Sequence, residues 1–108
     1  MITTDEETIN DAFGAAKLQA DLAYAAGREA EAARQRLAEM EMIEAAKAQE
    51  YGAPPAKIPA IVRERTQAAR AEAEAAAIRS NDEAHKLRLL HYELDRIRTI
   101  VDLRKMGD

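Results

Sequence analysis

Tyr51-Gly52-Ala53-Pro54-Pro55-Ala56-Lys57-Ile58-Pro59 is a stretch that no α-helix can cross. Each proline lacks an amide donor and steers the residue before it away from helical dihedrals. Gly52 offers the left-handed residue that closes a helix, and Pro59 fits the first turn of the next one. The chain must therefore stop, turn and restart here.

Outward from that turn, both arms are built to be helical. Ala, Glu, Lys, Leu and Arg supply 62 of the 108 residues, 25 of them alanine. Such a composition with a 3.5-residue period marks long helices or coiled coils. Leu, Ile, Val and Phe together number only 19, a level at which disorder competes. The mild net charge of −4 and the alanine content decide for helix. The expectation is an all-α chain, one domain over 1–108: a tail and cap at 1–4, a helix over about 5–50, a Pro-rich turn at 51–58 and a helix over about 59–106. The two long helices are expected to form an antiparallel hairpin with a coiled-coil-like seam.

The helix ends carry their own signals. Thr4-Asp5-Glu6-Glu7 reads as a capping box, with three acids at the positive end of the helix dipole. Arg104-Lys105-Met106-Gly107 places bases and then a glycine at the far end. Two interior points are softer. Gly14 and Gly27 each cost about 1 kcal/mol relative to alanine within a helix. Around Gly14 the apolar face also changes, Ile9 and Phe13 lying across the wheel from Leu18 and Leu22. Ser80-Asn81-Asp82-Glu83 resembles a second cap, but the seam keeps its phase there, which favours one continuous helix.

That seam steps by four and three through Val62, Thr66, Ala69, Ala73, Ala76, Ser80, Glu83, Leu87, Leu90, Leu94, Ile97 and Val101. It is small or polar up to Glu83 and wholly large from Leu87 onward. The first arm shows a looser stripe of Leu18, Leu22, Ala25, Glu29, Ala33, Leu37, Met40, Ile43 and Tyr51. Folding at the turn sets Ala33 opposite Ala77, and residues 9–22 opposite 87–101. The large residues thus gather at the open end.

There they exceed what one partner helix covers. Leu89, Ile100 and Leu103, with Tyr92 nearby, form a second stripe, and Ile9 and Phe13 give the first arm a second face. Burying each large apolar side chain is worth about 1.5–3 kcal/mol, so a few such residues decide assembly. The expected interface, with itself or a partner, comprises Ile9, Phe13, Leu18, Leu22, Leu87, Leu89, Leu90, Tyr92, Leu94, Ile97, Ile100, Val101 and Leu103. The expected state is a homodimer forming a four-helix bundle.

Candidate chemistry is sparse. There is no cysteine, so thiolate and disulfide chemistry are excluded. His91 and Asp95 share a helix face while His85 lies elsewhere, which falls short of a metal site's three or four converging ligands. No Gly-rich phosphate loop or nucleophile motif is present, and the acids are spread along the helices. No enzyme activity, cofactor, metal or small-molecule substrate is expected. Lys86, Arg88, Arg96, Arg98, Arg104 and Lys105 make the last third basic and are the candidate nucleic-acid contacts. Against them stand an overall pI near 5.3 and the absence of interleaved aromatics for base stacking. Residues 1–50 carry a net −6 and 51–108 a net +2, a contrast suited to pairing between the arms. No apolar run could span a membrane, and Met1–Glu7 lacks the basic and apolar regions of a signal peptide, so a soluble, cytoplasmic protein is expected.

A helical chain of this size with an aromatic-glycine turn resembles the small secreted WXG-type proteins. The pattern departs where that family is most specific. Tyr51-Gly52 is adjacent rather than spaced, there is no Trp, and Tyr92 is followed four residues later by Arg96 rather than an acid. That family's export role is therefore not carried over. Compact, motif-free Ala/Arg-rich chains are also common among phage and mobile-element proteins, as virion assembly parts or inhibitors of host defence. The expected function is a non-enzymatic, self-associating helical protein that binds another protein in an adaptor, assembly or inhibitory role. The alternative is a phage or mobile-element type inhibitor or accessory factor that touches nucleic acid, or its machinery, through the basic C-terminal helix.

Overall fold

A computed structural model of the chain describes the backbone of residues 4–107 and the side chains of residues 6–107. Helix α1 runs over Thr4–Glu50, a 3₁₀ turn over Pro55–Lys57, α2 over Ile58–Arg65 and α3 over Gln67–Met106. Among the described residues there is no strand, as the composition predicts. The Thr4 and Asp5 side chains, on which the predicted capping box rests, lie outside the described residues.

The turn forms as its residues dictate. The Gly52 amide donates to the Gln49 carbonyl at 3.0 Å and the Ala53 amide to the Ala48 carbonyl at 3.0 Å. This is a Schellman closure, and it needs the left-handed φ of +81° that Gly52 adopts. Pro54 and Pro55 then start the 3₁₀ turn, with Lys57 donating to the Pro54 carbonyl. Helix α2 begins at Ile58, one residue before Pro59, within the first turn where a missing amide costs nothing.

The second arm is not one helix over 59–106. It is interrupted at Thr66, between α2 and α3. Thr66 is wholly buried, and its Oγ1 donates to the Val62 carbonyl at 2.7 Å while its own amide donates to the same carbonyl at 2.9 Å. A threonine hydroxyl with no water available back-bonds to the preceding turn, and such bonding distorts a helix. The local dihedrals, φ −101° and ψ 13°, record that distortion. The cap-like Ser80-Asn81-Asp82-Glu83 stays inside α3, and Gly14 stays inside α1.

Two compact units make up the chain: Met1–Ala25 with Asn81–Asp108, and Ala26–Ser80. Within the second, ion pairs link Glu29 to Arg79, Arg36 to Glu72, Glu41 to Arg70 and Glu44 to Arg65, at 3.0–3.9 Å. Partner numbers fall as α1 advances, so the paired segments run in opposite directions. In three of the four pairs the acid belongs to α1, in keeping with the opposed net charges of the two arms. The Glu29–Arg79 and Arg36–Glu72 pairs are exposed, and Glu41, Glu44 and Arg70 are half-buried; such pairs at a surface carry small net energy and serve register more than stability. Within the first unit the same sense holds, Gln19 meeting Glu83 and Phe13 meeting Arg98.

Every predicted seam position of the second arm is buried or half-buried: Val62 to Ser80 in the second unit, Glu83 to Val101 in the first. The first arm packs mainly through a face beside the predicted stripe, of which only Ala33 and Leu37 are turned inward. Its inward residues are Ile9, Ala12, Ala16, Gln19 and Ala23 in the first unit, and Ala26, Ala30, Ala33, Leu37, Glu44 and Ala48 in the second. Of the large members of the predicted stripe, Leu18, Leu22, Met40, Ile43 and Tyr51 are exposed and Leu37 is half-buried. Ala76, 2 % exposed, is inward as the seam predicts, whereas Ala77, the residue expected opposite Ala33, is exposed. The cause is steric: an alanine face lets two helix axes come close and bury backbone as well as side chains, whereas leucines on that face would hold them apart. The step of the inward face is still four and three.

Candidate interaction surface

In the first unit a polar pair crosses the packed seam. Gln19, 9 % exposed, donates through Nε2 to the backbone carbonyl of Glu83 at 3.0 Å and to its Oε2 at 2.5 Å. The Glu83 Oε1 accepts in turn from Lys86 Nζ at 3.3 Å. These two donors, Gln19 first, hold the Glu83 carboxyl below its ordinary value, against a smaller opposing effect of desolvation. A buried amide with its donors satisfied fixes the level at which α1 meets α3.

To either side of the seam lies a shallow groove. One, of about 260 Å³, is lined by Phe13, Ala16, Lys17 and Ala20 with His91 and Leu94. The Arg98 guanidinium stands 5.8 Å from the Phe13 ring centroid on that same side. The other, of about 270 Å³, is lined by Thr8, Asp11, Ala12 and Ala15 with Leu90, Glu93 and Ile97. The two grooves define two flanks, and helical geometry assigns further residues to them. Asp11, Ala15, Leu18 and Leu22 step by four, three and four along the outer edge of α1. Leu89, Glu93, Arg96, Ile100 and Leu103 step by four, three, four and three along the outer edge of α3. Both edges border the second groove.

The residues expected at an interface now sort into two groups. Leu94 and Val101 are buried in the seam, and Ile9, Leu87, Leu90 and Ile97 are half-buried there. Phe13, Leu18, Leu22, Leu89, Tyr92, Ile100 and Leu103 remain exposed. Of these, Leu18 at 63 %, Leu22 at 49 %, Leu89 at 53 %, Ile100 at 40 % and Leu103 at 62 % all border the one flank. Phe13 lies across the seam under Arg98, and Tyr92, eleven residues before Leu103 and so on nearly the same bearing, stands at the outer margin of the flank. The flank is therefore a two-helix surface on which Asp11, Glu93 and Arg96 stand among the leucines.

The six basic residues do not share a face. By the same geometry, Lys86, Arg96 and Arg104 lean toward the flank with the leucines, while Arg88, Arg98 and Lys105 lie on the other side. Lys86 is bonded to Glu83 and Arg98 is stacked on Phe13. His85, His91 and Asp95 are exposed. Among the described residues no group of three or more His, Cys, Asp or Glu could hold a metal ion, and no helix is long and apolar enough to cross a membrane.

In the second unit a groove of about 710 Å³ opens where Ala38, Met42 and Ala45 of α1 face Ile58 and Val62 of α2, and another of about 370 Å³ lies between Glu29, Ala32 and Arg36 of α1 and Glu72, Ala76 and Arg79 of α3. Arg70 borders the larger, with a buried Nε that has no hydrogen-bond partner.

Reading the sequence for its largest residues finds the leucines of the flank but misses Gln19, Glu83, Asp11 and Glu93. The four-three spacing of residues 11–22 and 89–103 is visible in the sequence. Its meaning depends on knowing which face of α1 the seam consumes. No protein-family model, curated protein or solved structure matches the chain.

Proposed function

We propose that this chain is a non-enzymatic, self-associating helical protein that acts by binding another protein, in an adaptor, assembly or inhibitory role. In this reading the two arms form an antiparallel hairpin with a coiled-coil-like seam, and two hairpins join in a four-helix bundle in the cytoplasm. One observation carries it: with the seam closed, Leu18, Leu22, Leu89, Ile100 and Leu103 remain 40–63 % exposed on one flank. Contiguous apolar surface of that kind usually marks an interface. Five such side chains, at about 1.5–3 kcal/mol each when fully buried, suffice to drive association against its entropic cost. The basic residues are divided between two flanks and partly engaged within the chain, which favours a protein over a nucleic acid as the bound macromolecule.

Sedimentation velocity over a micromolar concentration series tests self-association. The expected species is a dimer of the 11.9 kDa chain. The doubly substituted Leu89→Glu, Ile100→Glu variant should be monomeric with unchanged helicity. A wild-type chain that remains monomeric throughout the series would overturn the reading. For the alternative, retention on DNA that weakens steeply with added salt would support nucleic-acid contact.

A further inference from the structure

The apolar flank of the first unit also specifies how a second copy sits on it. We propose an isologous dimer whose two-fold axis runs parallel to the helices, so that α1 of each copy lies antiparallel against α3 of the other. This rests on the self-association proposed above and adds its geometry.

Charge and register along the two edges decide between the possible arrangements. Asp11 lines a groove whose α3 side runs from Leu90 through Glu93 to Ile97, so its level on α3 falls between Glu93 and Arg96, within reach of the Arg96 side chain. Leu18 lies one turn past Ala15 in a pair of segments where residues 8–15 share a groove with 90–97, so Leu18 and Leu89 are within a turn of one level. A two-fold axis parallel to the helices preserves levels and exchanges edges. It therefore sets Asp11 against Arg96 of the second copy and Leu18 against Leu89 of the second copy, each contact made twice. Every helix then has antiparallel neighbours, the arrangement that suits both helix dipoles and four-helix packing.

The competing arrangement has its axis across the helices and lays α3 on α3. It also pairs Glu93 with Arg96, and it brings Leu89 to Ile100. But it sets Asp11 against Asp11 and carries Leu18 and Leu22 past the end of the contact. Like charges on an interface are destabilising, and two exposed leucines would go unused.

The chain has no cysteine, so disulfide trapping is clean. Leu18→Cys and Leu89→Cys chains should be mixed and oxidised at micromolar concentration, then resolved by mass. The proposal requires a crosslink between the two different variants, because only facing Cβ atoms about 3.5–4.5 Å apart close easily. Leu18→Cys alone and Leu89→Cys alone should stay uncrosslinked. A crosslink between Leu89→Cys and Ile100→Cys chains instead, or no crosslink in any mixture of a chain that sediments as a dimer, would overturn the geometry while leaving self-association standing. A monomer in sedimentation would overturn both. In parallel, Asp11→Arg or Arg96→Asp should each weaken dimerisation roughly tenfold, since each contact occurs twice, and the double exchange should restore most of it. Failure of the double exchange to restore binding would also count against the pairing.

Discussion

Gln19 and Glu83 are 64 residues apart in sequence, and the Gln19 amide donates to both the backbone carbonyl and the carboxylate of Glu83. It ties the level of α1 to that of α3 in the first unit. A seam of alanines, isoleucine and leucines tolerates sliding by one turn, because one small apolar residue replaces another. A directional pair does not.

Removing that pair should be felt in folding and not in helicity of the remaining arms. Gln19→Ala is expected to lower Tm by about 5 °C, in line with loss of one partly buried hydrogen-bond pair in a chain of this size. Circular dichroism during heating measures it. An unchanged Tm would show that the seam sets its own level without the pair.

The same contact predicts an acid sensitivity. The bonds from Gln19 and Lys86 lower the Glu83 pKa in the folded chain below its ordinary 4.5. The stability they confer is therefore fully present above that value and is lost as pH falls through the lowered folded value. Urea midpoints compared at pH 7 and pH 3 should fall more for the wild type than for Glu83→Gln. Parallel pH profiles would contradict the assignment.

Three glycines should respond differently to alanine. At Gly14 an added Cβ meets nothing within 4 Å, and at Gly27 it meets only Ser80 Oγ at 3.8 Å, an ordinary contact. Gly14→Ala and Gly27→Ala should each stabilise by about 0.5–1 kcal/mol, because the helix no longer bears glycine's entropy. Gly52, with φ +81°, should lose about 1 kcal/mol on the same change, since a Cβ is strained in the left-handed region. Chemical denaturation of the three variants settles the order.

Thr66 has no room to grow. Thr66→Val keeps its shape and removes the hydroxyl bond to a carbonyl that the Thr66 amide still satisfies, so a change under about 1 kcal/mol is expected. Thr66→Leu should destabilise by about 1–3 kcal/mol through overpacking of a fully buried position. Equal effects for the two would mean that the hydroxyl, and not the volume, governs the junction.

The sorting of the apolar residues can be tested by truncation. Leu94, 6 % exposed, should lose about 2–4 kcal/mol of folding stability on Leu94→Ala. Leu18→Ala should change folding by less than about 0.5 kcal/mol at concentrations where the chain is dilute. Its effect should appear instead as weaker association at high concentration. Denaturation followed over a range of protein concentrations separates the two.

By itself the sequence determined the helical class, the turn at Gly52, and the inward face of the second arm from Val62 to Val101. Each of these rests on local physics: proline's missing amide, glycine's left-handed φ, alanine's propensity, and a period that one helix imposes on its own residues. The face of α1, the junction at Thr66 and the sorting of the leucines were decided only in the tertiary structure. Helix α1 carries two stripes at helical spacing, one of leucines, methionine and isoleucine and one of alanines. Which of them packs depends on how closely the second helix can approach, and that distance belongs to both helices together. The alanine stripe won, Thr66 lost its access to water and turned its hydroxyl on its own backbone, and Leu18 and Leu22 were left outside beside Leu89 and Ile100.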